Sequence, residues 1–300
     1  MNFETPADPR VAFSGYAIGN PGRAGLELPA GAPPDRAGLS DVELSAASEP
    51  GMLVRAATVR GLLHRSNGEV RQDAFALGRH AAEDGTVRAV AVVCDGVGSL
   101  GRSDEAAALV SRRLTALGAA GTPWPEAFAQ VNEELHAFVK EPRCDDTGDP
   151  SRDGMATTAV ALAVHRAADA WVGDVAWVGD SSLWHLAPDG RWTPLTGQAD
   201  EDEEGYHSTG VRPMPMAGGA CATREVRVGA GALFLMSDGI ANPLKWSGDV
   251  QETLAEWWCG PPDPFTFAAQ AAFARKSHVD DRTVVGFWPD VASGESGDAI

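Results

Sequence analysis

The sequence predicts an α+β fold in which two β-sheets pack face to face and helices cover the outside. Segments with strand character occur in three blocks, and pairs of helical segments separate these blocks. A regular alternation of single strands and helices would instead indicate parallel βαβ units. Several strand segments are apolar at every position, as expected where both faces of a sheet are covered. The order of elements therefore favours a sheet-on-sheet core with helix pairs outside it.

Residues 1–50 are predicted to form a flexible extension. The segment is rich in proline, glycine and alanine and has no sustained hydrophobic periodicity. From Met52 the pattern changes to strand-like segments, so we expect the folded domain to span residues 51–289. Residues 290–300 are expected to be a disordered tail.

The first block is predicted to consist of strands followed by two helices. Two segments at about 75–79 and 87–92 alternate polar and apolar residues around a turn. The first helix is expected at about 104–117, with Ser103 as its N-cap and two acidic residues in its first turn, where the helix dipole favours negative charge. The second helix, at about 125–139, has an apolar stripe along one face.

The second half of the chain is predicted to contain the remaining strands and the second helix pair. An irregular segment at 197–222 interrupts it and contains the acidic run Asp200–Glu204, which indicates a solvated loop. The predicted strands are at about 157–164, 170–178, 183–186, 224–237 and 283–288, and the predicted helices are at about 249–258 and 264–277.

The composition disfavours several classes of function. The chain has 24 basic and 42 acidic side chains and a formal net charge of −18, so its electrostatic field repels nucleic acids and anionic lipids. No segment approaches the ~18 apolar residues of a membrane span, and the N-terminus lacks a basic region followed by an apolar core. We therefore expect a cytoplasmic enzyme or regulator without a nucleic-acid or membrane partner. The cysteines lack the spacing of a zinc site, and Cys94 is expected to pack as a small hydrophobic residue.

Two aspartates stand where apolar strands end. Asp95 and Asp238 each lie between an apolar run and a glycine, and Asp280 and Asp281 open a third apolar strand. A carboxylate at the tip of such a strand is costly unless a cation or a hydrogen-bonding shell compensates its charge. These positions together favour a shared metal site.

A simple turn is the alternative explanation for an Asp-Gly pair. Asp84 and Asp189, each followed by glycine, are predicted to form hairpin turns, because the flanking segments alternate polar and apolar residues. The strands before Asp95 and Asp238 are apolar on both faces. For either of these two residues alone, a turn and a metal ligand remain equally open.

Six short motifs, in this order, resemble the motif set of the metal-dependent PP2C-type (PPM) protein phosphatases, particularly bacterial members. The resemblance covers about residues 55–288. It implies a four-layer α/β/β/α sandwich with two antiparallel sheets flanked by helix pairs, and it implies hydrolysis of phosphoserine and phosphothreonine in proteins. The motifs are Gln72–Phe75, Cys94–Ser99, Asp153–Thr158, Val178–Ser182, Met236–Ile240 and Asp280–Thr283.

The resemblance also implies a site for two Mn²⁺ or Mg²⁺ ions. Asp95 matches the carboxylate that bridges both ions, and Gly96 matches the position whose backbone carbonyl binds one of them. Asp238 and Asp280 match the remaining direct carboxylate ligands. Hydrolysis of a phosphate monoester needs a nucleophile at neutral pH and neutralisation of the phosphoryl charge, and two divalent cations supply both. Ligands with oxygen atoms only select magnesium or manganese over zinc.

Other motif positions match outer parts of the family's site. Asp73 matches the acidic position that holds metal-bound waters, and Asp153 matches an aspartate that helps to hold a third, weaker ion in bacterial members. Asp180 is expected to build a turn rather than to bind metal. The chain departs from the family pattern at Val97, where some members have a histidine thought to act as general acid. It also departs at Asn242, where an acidic residue often stands.

The arginine that binds the phosphoryl group has two candidates. The family places it a few residues before the Gln-Asp pair, and that spacing is disturbed here. Arg65 is preferred because residues 66–69 resemble an inserted turn, and Arg71 stays open as the alternative. Segment 197–222 falls where the family has a variable flap, and its acidic run would favour basic substrate segments.

Three functional classes follow. The first is an active metal-dependent serine/threonine phosphatase that acts on a phosphorylated protein and opposes a cognate kinase in bacterial signalling. The second is a weakly active or inactive relative that serves as a regulatory or phosphoprotein-binding module. The third is a hydrolase of a small phosphorylated metabolite. The retained carboxylates argue against the second class, because clustered acidic groups are costly without a function.

Overall fold

The computed structural model describes residues 15–22, 40–140, 154–196, 212–216 and 220–290. Within these ranges the chain forms two antiparallel sheets and their covering helices. The strands are β1 Val42–Glu49, β2 Met52–Val59, β3 Ala74–Ala81, β4 Val87–Gly96, β5 Thr157–Ala167, β6 Ala170–Val178, β7 Ser182–Leu186, β8 Trp192–Pro194, β9 Ala222–Val228, β10 Ala232–Met236 and β11 Arg282–Pro289.

The helices lie on both sides of the two sheets. One sheet has the strand order β1-β2-β11-β10-β7-β8, and the other has the order β3-β4-β5-β6-β9. In the described parts of the chain, none of the helices is long and apolar enough to cross a membrane. The helices are α1 Leu62–Asn67, α2 Ser103–Ala119, α3 Trp124–Lys140, α4 Asp238–Trp246, α5 Gly248–Trp258 and α6 Pro264–Ala271.

Three apolar layers hold the four structural layers together. One lies between the two sheets, one lies between the five-stranded sheet and helices α2 and α3, and one lies between the six-stranded sheet and helices α4, α5 and α6. The architecture is therefore the α/β/β/α sandwich that the sequence predicted.

Strand β4 shows why the middle of a central strand is apolar on both faces. Its side chains alternate between the two faces of the sheet. Ala91 and Val93 pack into the layer between the sheets, whereas Val90 and Val92 pack against the helices. A strand that contacts two apolar layers needs apolar residues on both faces, and this confirms the sequence-based interpretation.

The predicted boundary at residue 50 is wrong. Strand β1 lies within the supposed extension and pairs with β2 over its whole length. Residues 15–22 also contact the domain, since Ile18 is buried and its N–H donates to the carbonyl of Ala274 over 3.2 Å. Strand β1 has one partner strand and a mixed burial pattern, which leaves little periodicity for sequence analysis to detect.

The helices differ from the sequence-based prediction in three places. Helices α1 and α4 were not predicted, and α6 ends at Ala271 rather than near residue 277. Helix α1 has only six residues, and α4 contains Pro243 in its interior, so neither gives a clear helical signal.

Both predicted hairpin turns are confirmed. The carboxylate of Asp84 accepts from the N–H of Thr86 over 2.8 Å, and that of Asp189 accepts from the N–H of Arg191 over 3.1 Å. The following glycines both have φ of +85°, a conformation that glycine adopts without steric cost.

We expect Phe234→Ala to lower the free energy of unfolding by about 3–5 kcal/mol, as for other buried aromatic residues. The Phe234 ring is fully buried and stacks on Trp258 with centroids 5.3 Å apart. Urea titration followed by tryptophan fluorescence measures the change. Phe265→Ala is the control, because Phe265 is 76% exposed and its loss should change stability by less than about 0.5 kcal/mol. Equal effects would contradict the described core.

Candidate metal site

The aspartates singled out in the sequence lie at strand ends on one side of the sandwich. Asp95 is near the end of β4, Asp238 follows β10, and Asp280 precedes β11. Asp73 precedes β3, which pairs antiparallel with β4. Because β10 and β11 are also antiparallel, the end of one strand lies beside the start of its neighbour. Topology thereby brings residues that are distant in sequence to one place.

Asp95 and Asp238 join the two sheets at this end. The backbone N–H of Asp238 donates to Oδ2 of Asp95 over 3.4 Å. Asn242, one turn further along α4, donates from its amide nitrogen to Oδ2 of Asp238 over 3.0 Å. The hydroxyl of Thr157 donates to the backbone carbonyl of Asp95 over 2.8 Å. Asn242 thus takes a supporting role at the position where the chain departs from the family pattern.

The loop after β4 is fixed by close contacts. Gly96 has no room for a side chain, since an added Cβ would lie 2.7 Å from the backbone oxygen of Gln72. Ser103 donates from its hydroxyl to the carbonyl of Val97 over 2.6 Å. The prediction that Ser103 is the N-cap of α2 is therefore wrong. Arg102 holds the N-cap position and makes no side-chain cap hydrogen bond.

Asp73 is a buried carboxylate with an incomplete hydrogen-bonding shell. It hydrogen-bonds with Ser237 and Thr283. Its Oδ2 atom has no hydrogen-bond partner among the described residues. Burial, followed by the charges of Asp281 and Asp280, raises the pKa of Asp73 well above its usual range. An orphaned buried oxygen of this kind is costly unless a ligand completes its shell.

Asp281 is the structural centre of the site, and sequence analysis did not assign it this role. Its buried carboxylate accepts from the backbone N–H of Gly61 over 2.6 Å and from that of Gln72 over 2.5 Å. It also pairs with Nδ1 of His64 at 2.9 Å. Burial would lower the pKa of His64, but Asp281 outweighs burial and raises that pKa to about 9. A buried ion pair thus ties α1 and the residue before Asp73 to the start of β11.

Arg282 holds the segment that leads to Asp280. Its guanidinium is buried, packs on the ring of Phe273 at 4.0 Å, and donates to the carbonyls of Phe273 and of His278, the latter over 2.8 Å. Burial lowers the pKa of Arg282 to about 9, which leaves it protonated at neutral pH. The segment before the candidate ligand is therefore fixed on two sides.

Negative charges crowd one another at this site. Burial, then the charges of Asp73 and Asp238, raises the pKa of Asp95 well above its usual range. Burial, then the charges of Asp280 and Asp180, raises the pKa of Asp238 to about 6. Like charges held close in a partly buried place disfavour ionisation of each other. A divalent cation would relieve this repulsion.

Asp180 belongs to the same cluster, although it was predicted to build a turn. Gly179 before it has φ of +84°, so a turn is present, but the Asp180 carboxylate also acts on its neighbours. Burial and the charge of Asp280 raise the pKa of Asp180. Asp280 itself is exposed as a residue, yet the partial burial of its carboxyl group, followed by the charge of Asp281, raises its pKa.

The residues fit a hard divalent cation in their chemistry and charge. The side-chain donors are carboxylates, and the backbone carbonyl of Gly96 lies next to Asp95 in the sequence. The orphaned oxygen of Asp73 and the mutual repulsion point to a missing positive charge. Among the described residues, however, no three acidic, histidine or cysteine side chains are already arranged around one metal position.

The remaining predicted positions give a mixed result. Asp153 and the run Asp200–Glu204 lie outside the described residues. Both candidate arginines have an acidic partner, since Nε of Arg65 lies 3.7 Å from the Asp41 carboxylate and Nη2 of Arg71 lies 3.1 Å from the Glu43 carboxylate. Arg71 lines a groove of about 460 Å³ together with Asp73. The contacts therefore favour Arg71 over Arg65 as the arginine near the carboxylates.

Cys94 is a packing residue. It is fully buried in the layer against helices α2 and α3. Burial, together with the charges of Asp73 and Asp95, raises the pKa of its thiol well above the usual value. A thiol that stays protonated in an apolar layer is a poor nucleophile.

A sequence profile assigns the chain to a family. The sequence profile of the family described as Protein phosphatase 2C matches residues 60–265, more than half of the chain. This chain therefore belongs to the protein phosphatase 2C family. The matched region contains Asp73, Asp95 and Asp238 and ends before Asp280. A comparison with curated protein sequences finds no significant match.

Solved structures of bacterial phosphatases share the fold. A substituted form of a bacterial serine phosphatase has a TM-score of 0.56 at 18% identity, with 80% of this chain and 98% of that chain covered. The S. agalactiae serine/threonine phosphatase has 0.55 at 18%, covering 83% and 100%. Serine/threonine phosphatase Stp1 from Staphylococcus aureus has 0.54 at 15%, covering 83% and 95%. At these identities the likeness establishes the fold alone.

We expect Asp238→Asn to stabilise the metal-free protein at neutral pH. The folded pKa of Asp238, about 6, is above the ordinary value of 3.8, so its ionisation destabilises the folded state as pH rises from about 4 to 6. At pH 7 in EDTA, the free energy of unfolding of the variant should be about 1–3 kcal/mol higher than that of the wild-type protein. The fall in stability between about pH 4 and pH 6 that Asp238 causes should be absent from the variant.

Urea titrations between pH 4 and pH 8 in EDTA measure this effect. Asp169→Asn is the control, because Asp169 is an exposed aspartate in the turn between β5 and β6. A destabilised Asp238→Asn variant at pH 7 would contradict the crowding of charges at the site.

Proposed function

We propose that this protein is a metal-dependent phosphatase that hydrolyses phosphoserine and phosphothreonine in proteins. The observation that carries the proposal is the convergence of Asp73, Asp95 and Asp238 with Asp280, which raise one another's pKa values. Membership of the protein phosphatase 2C family supports the reaction class. The natural setting would be a cytoplasmic signalling pathway in which the enzyme opposes a serine/threonine kinase.

The carboxylates would hold two Mn²⁺ or Mg²⁺ ions. Asp95 lies between Asp73 and Asp238 in its electrostatic contacts, which suits a bridging ligand. The carbonyl of Gly96 and the carboxylates of Asp238 and Asp280 would complete the direct ligands. Asp153, outside the described residues, is proposed to help hold a third, weaker ion.

The chain's own residues would bind and orient the reactants around these ions. When bound, the ions supply an activated water and neutralise the phosphoryl oxygens. Asp73, with its orphaned oxygen, would hold a water at the site. Arg71 would orient the phosphoryl group, because its Nε and Nη1 atoms are buried without an acceptor among the described residues. Val97 cannot donate a proton, so the leaving group would take its proton from a water at the site or from another residue.

A phosphoprotein-binding module without catalysis is the second candidate. It is favoured by the lack of three described side chains already arranged around one metal position. The retention of several mutually repelling carboxylates weighs against it, since a binding module has no need to keep them together.

Turnover of p-nitrophenyl phosphate with and without Mn²⁺ tests the proposed function. We expect Mn²⁺-dependent release of nitrophenol by the wild-type protein. Asp238→Asn should reduce turnover at least about 100-fold, because removing a ligand of a catalytic metal removes its charge stabilisation. Circular dichroism shows whether the variant stays folded. A folded variant with wild-type turnover would falsify the metal-based mechanism, and activity on phosphopeptides compared with small phosphorylated metabolites defines the substrate class.

The contribution of each arginine is tested by Arg71→Ala and Arg65→Ala. We expect Arg71→Ala to raise KM for p-nitrophenyl phosphate about 10- to 100-fold, because a charge-assisted hydrogen bond to the phosphoryl group is lost. Mn²⁺ affinity, measured by calorimetry, should stay the same. Arg65→Ala serves as the matched variant and should have a smaller effect on KM. The opposite order would assign the phosphoryl contact to Arg65, as the sequence preferred.

A further inference from the structure

A groove of about 460 Å³ leads away from the candidate metal site. Asp73 and Arg71 lie at one end, residues 74–77 of β3 form one wall, and residues 43–45 of β1 form another. Helix α2 closes the third side with Asp104, Ala108, Ser111 and Arg112. Residues 73–77 of an extended strand span roughly 13 Å, which is enough for three or four residues of an extended peptide.

Two of the groove walls are outer strands of the described sheets. Among the residues that the structure describes, β1 pairs with β2 alone and β3 pairs with β4 alone. An outer strand presents N–H and C=O groups without a strand partner. Extended peptides bind such edges through backbone hydrogen bonds. Residues 74–77 are all partly exposed, so a peptide in the groove can reach this edge.

Two guanidinium groups, those of Arg71 and Arg112, line the groove. Arg71 is only 4% exposed and donates from Nη2 to Glu43 over 3.1 Å, while its other two nitrogens have no acceptor among the described residues. Glu43 is thereby paired. Arg112 is exposed at the rim of the groove, and it has no ion pair within the described ranges. Three carboxylates also line the groove: Glu43 pairs with Arg71, Asp73 belongs to the candidate metal site, and Asp104 lies eight residues before Arg112 on α2, about 12 Å away along the helix axis. In a chain with net charge −18, Arg112 is therefore the group in the groove that an acidic side chain of a ligand would contact.

We propose that this groove seats the polypeptide next to the scissile phosphate of the substrate, in an extended conformation along β3, with an acidic side chain of that polypeptide on Arg112. The proposal rests on the proposed function, since it places the phosphorylated residue at the Asp73 end. It assigns to the enzyme a preference for phosphoproteins with an acidic residue near the phosphorylation site. Arg112 is then a specificity-determining residue with no part in the chemical step.

The preference is tested with paired phosphoserine peptides that differ by a single Glu or Lys. The substitution is moved through about four positions on each side of the phosphoserine, and kcat/KM is measured with Mn²⁺. We expect the wild-type protein to prefer Glu over Lys about three- to tenfold at one or two adjacent positions, as for an exposed charge pair. Arg112→Glu should reverse this preference and leave turnover of p-nitrophenyl phosphate within about twofold of wild type.

Arg227→Glu is the matched control. Arg227 is exposed and lies on β9, at the opposite edge of the sheet that contains β3. The Arg227→Glu variant has the same change in net charge as Arg112→Glu and should keep the wild-type preference for Glu peptides. The proposal would be overturned if Arg112→Glu left the ratio of kcat/KM for Glu and Lys peptides unchanged, or if Arg227→Glu shifted that ratio equally. It would also be overturned if Arg112→Glu lowered turnover of p-nitrophenyl phosphate as much as turnover of the peptides, because Arg112 would then act on the chemical step.

A binding measurement separates this proposal from the proposed function. The preferred Glu phosphopeptide, labelled with a fluorophore, is titrated with the Asp238→Asn protein, and anisotropy reports binding without turnover. If adding Arg112→Glu to the Asp238→Asn protein weakens peptide binding, the groove proposal is supported even if the wild-type protein hydrolyses no substrate. If the wild-type protein shows no Mn²⁺-dependent turnover, only the proposed enzymatic function is contradicted. Self-association in gel filtration that Arg112→Glu abolishes would instead place a second copy of the chain in the groove.

Discussion

The structure depends on one electrostatic constraint, the gathering of carboxylates at the ends of apolar strands. Asp73, Asp95 and Asp238 lie at strand ends beside the buried apolar core, where an uncompensated charge is costly. Their mutual repulsion raises their pKa values, so the metal-free site is held together against its own charge. What holds it are apolar layers on both faces of each sheet, together with contacts that do not involve the proposed ligands. The scaffold is thus stable enough to bear the repulsion, as the proposed cation site requires.

The most important of these contacts is the buried pair of Asp281 and His64. Asp281 accepts two backbone N–H groups and faces His64, so its charge is compensated while that of Asp280 beside it is left available. Adjacent aspartates consequently have opposite roles: one supports the fold, and the other faces the cluster. Breaking such a pair by removing one partner usually costs several kcal/mol, because a buried charge remains. The site therefore depends on supporting residues as well as on the proposed ligands.

Much of the fold follows from the sequence because strand periodicity and burial are linked directly. The apolar runs before Asp95 and Asp238 required sheets covered on both faces, and both strands are so placed. Strand β1 was missed because an outer strand needs few apolar residues, and α1 and α4 were missed because they are short or contain proline. These elements are defined by tertiary contacts that no local pattern records.

The site was predictable in part for the same reason. The strand-end aspartates could be found because their position is unusual, and the structure brings Asp95 and Asp238 within hydrogen-bonding distance. The role of Asp281 depends on backbone groups more than 200 residues away, so no sequence spacing indicates it. Asp180 gave the pattern of a turn and has one, yet its carboxylate also enters the cluster. Local geometry and participation in a site are separate properties.

The central claim is that these carboxylates converge to hold divalent cations. Anomalous diffraction from crystals of the wild-type protein grown with Mn²⁺ tests it most directly. We expect two strong manganese peaks among Asp73, Asp95, Asp238 and Asp280, with metal-to-oxygen distances of about 2.0–2.3 Å. Manganese bound only elsewhere, or an empty cluster at millimolar Mn²⁺, would contradict the account.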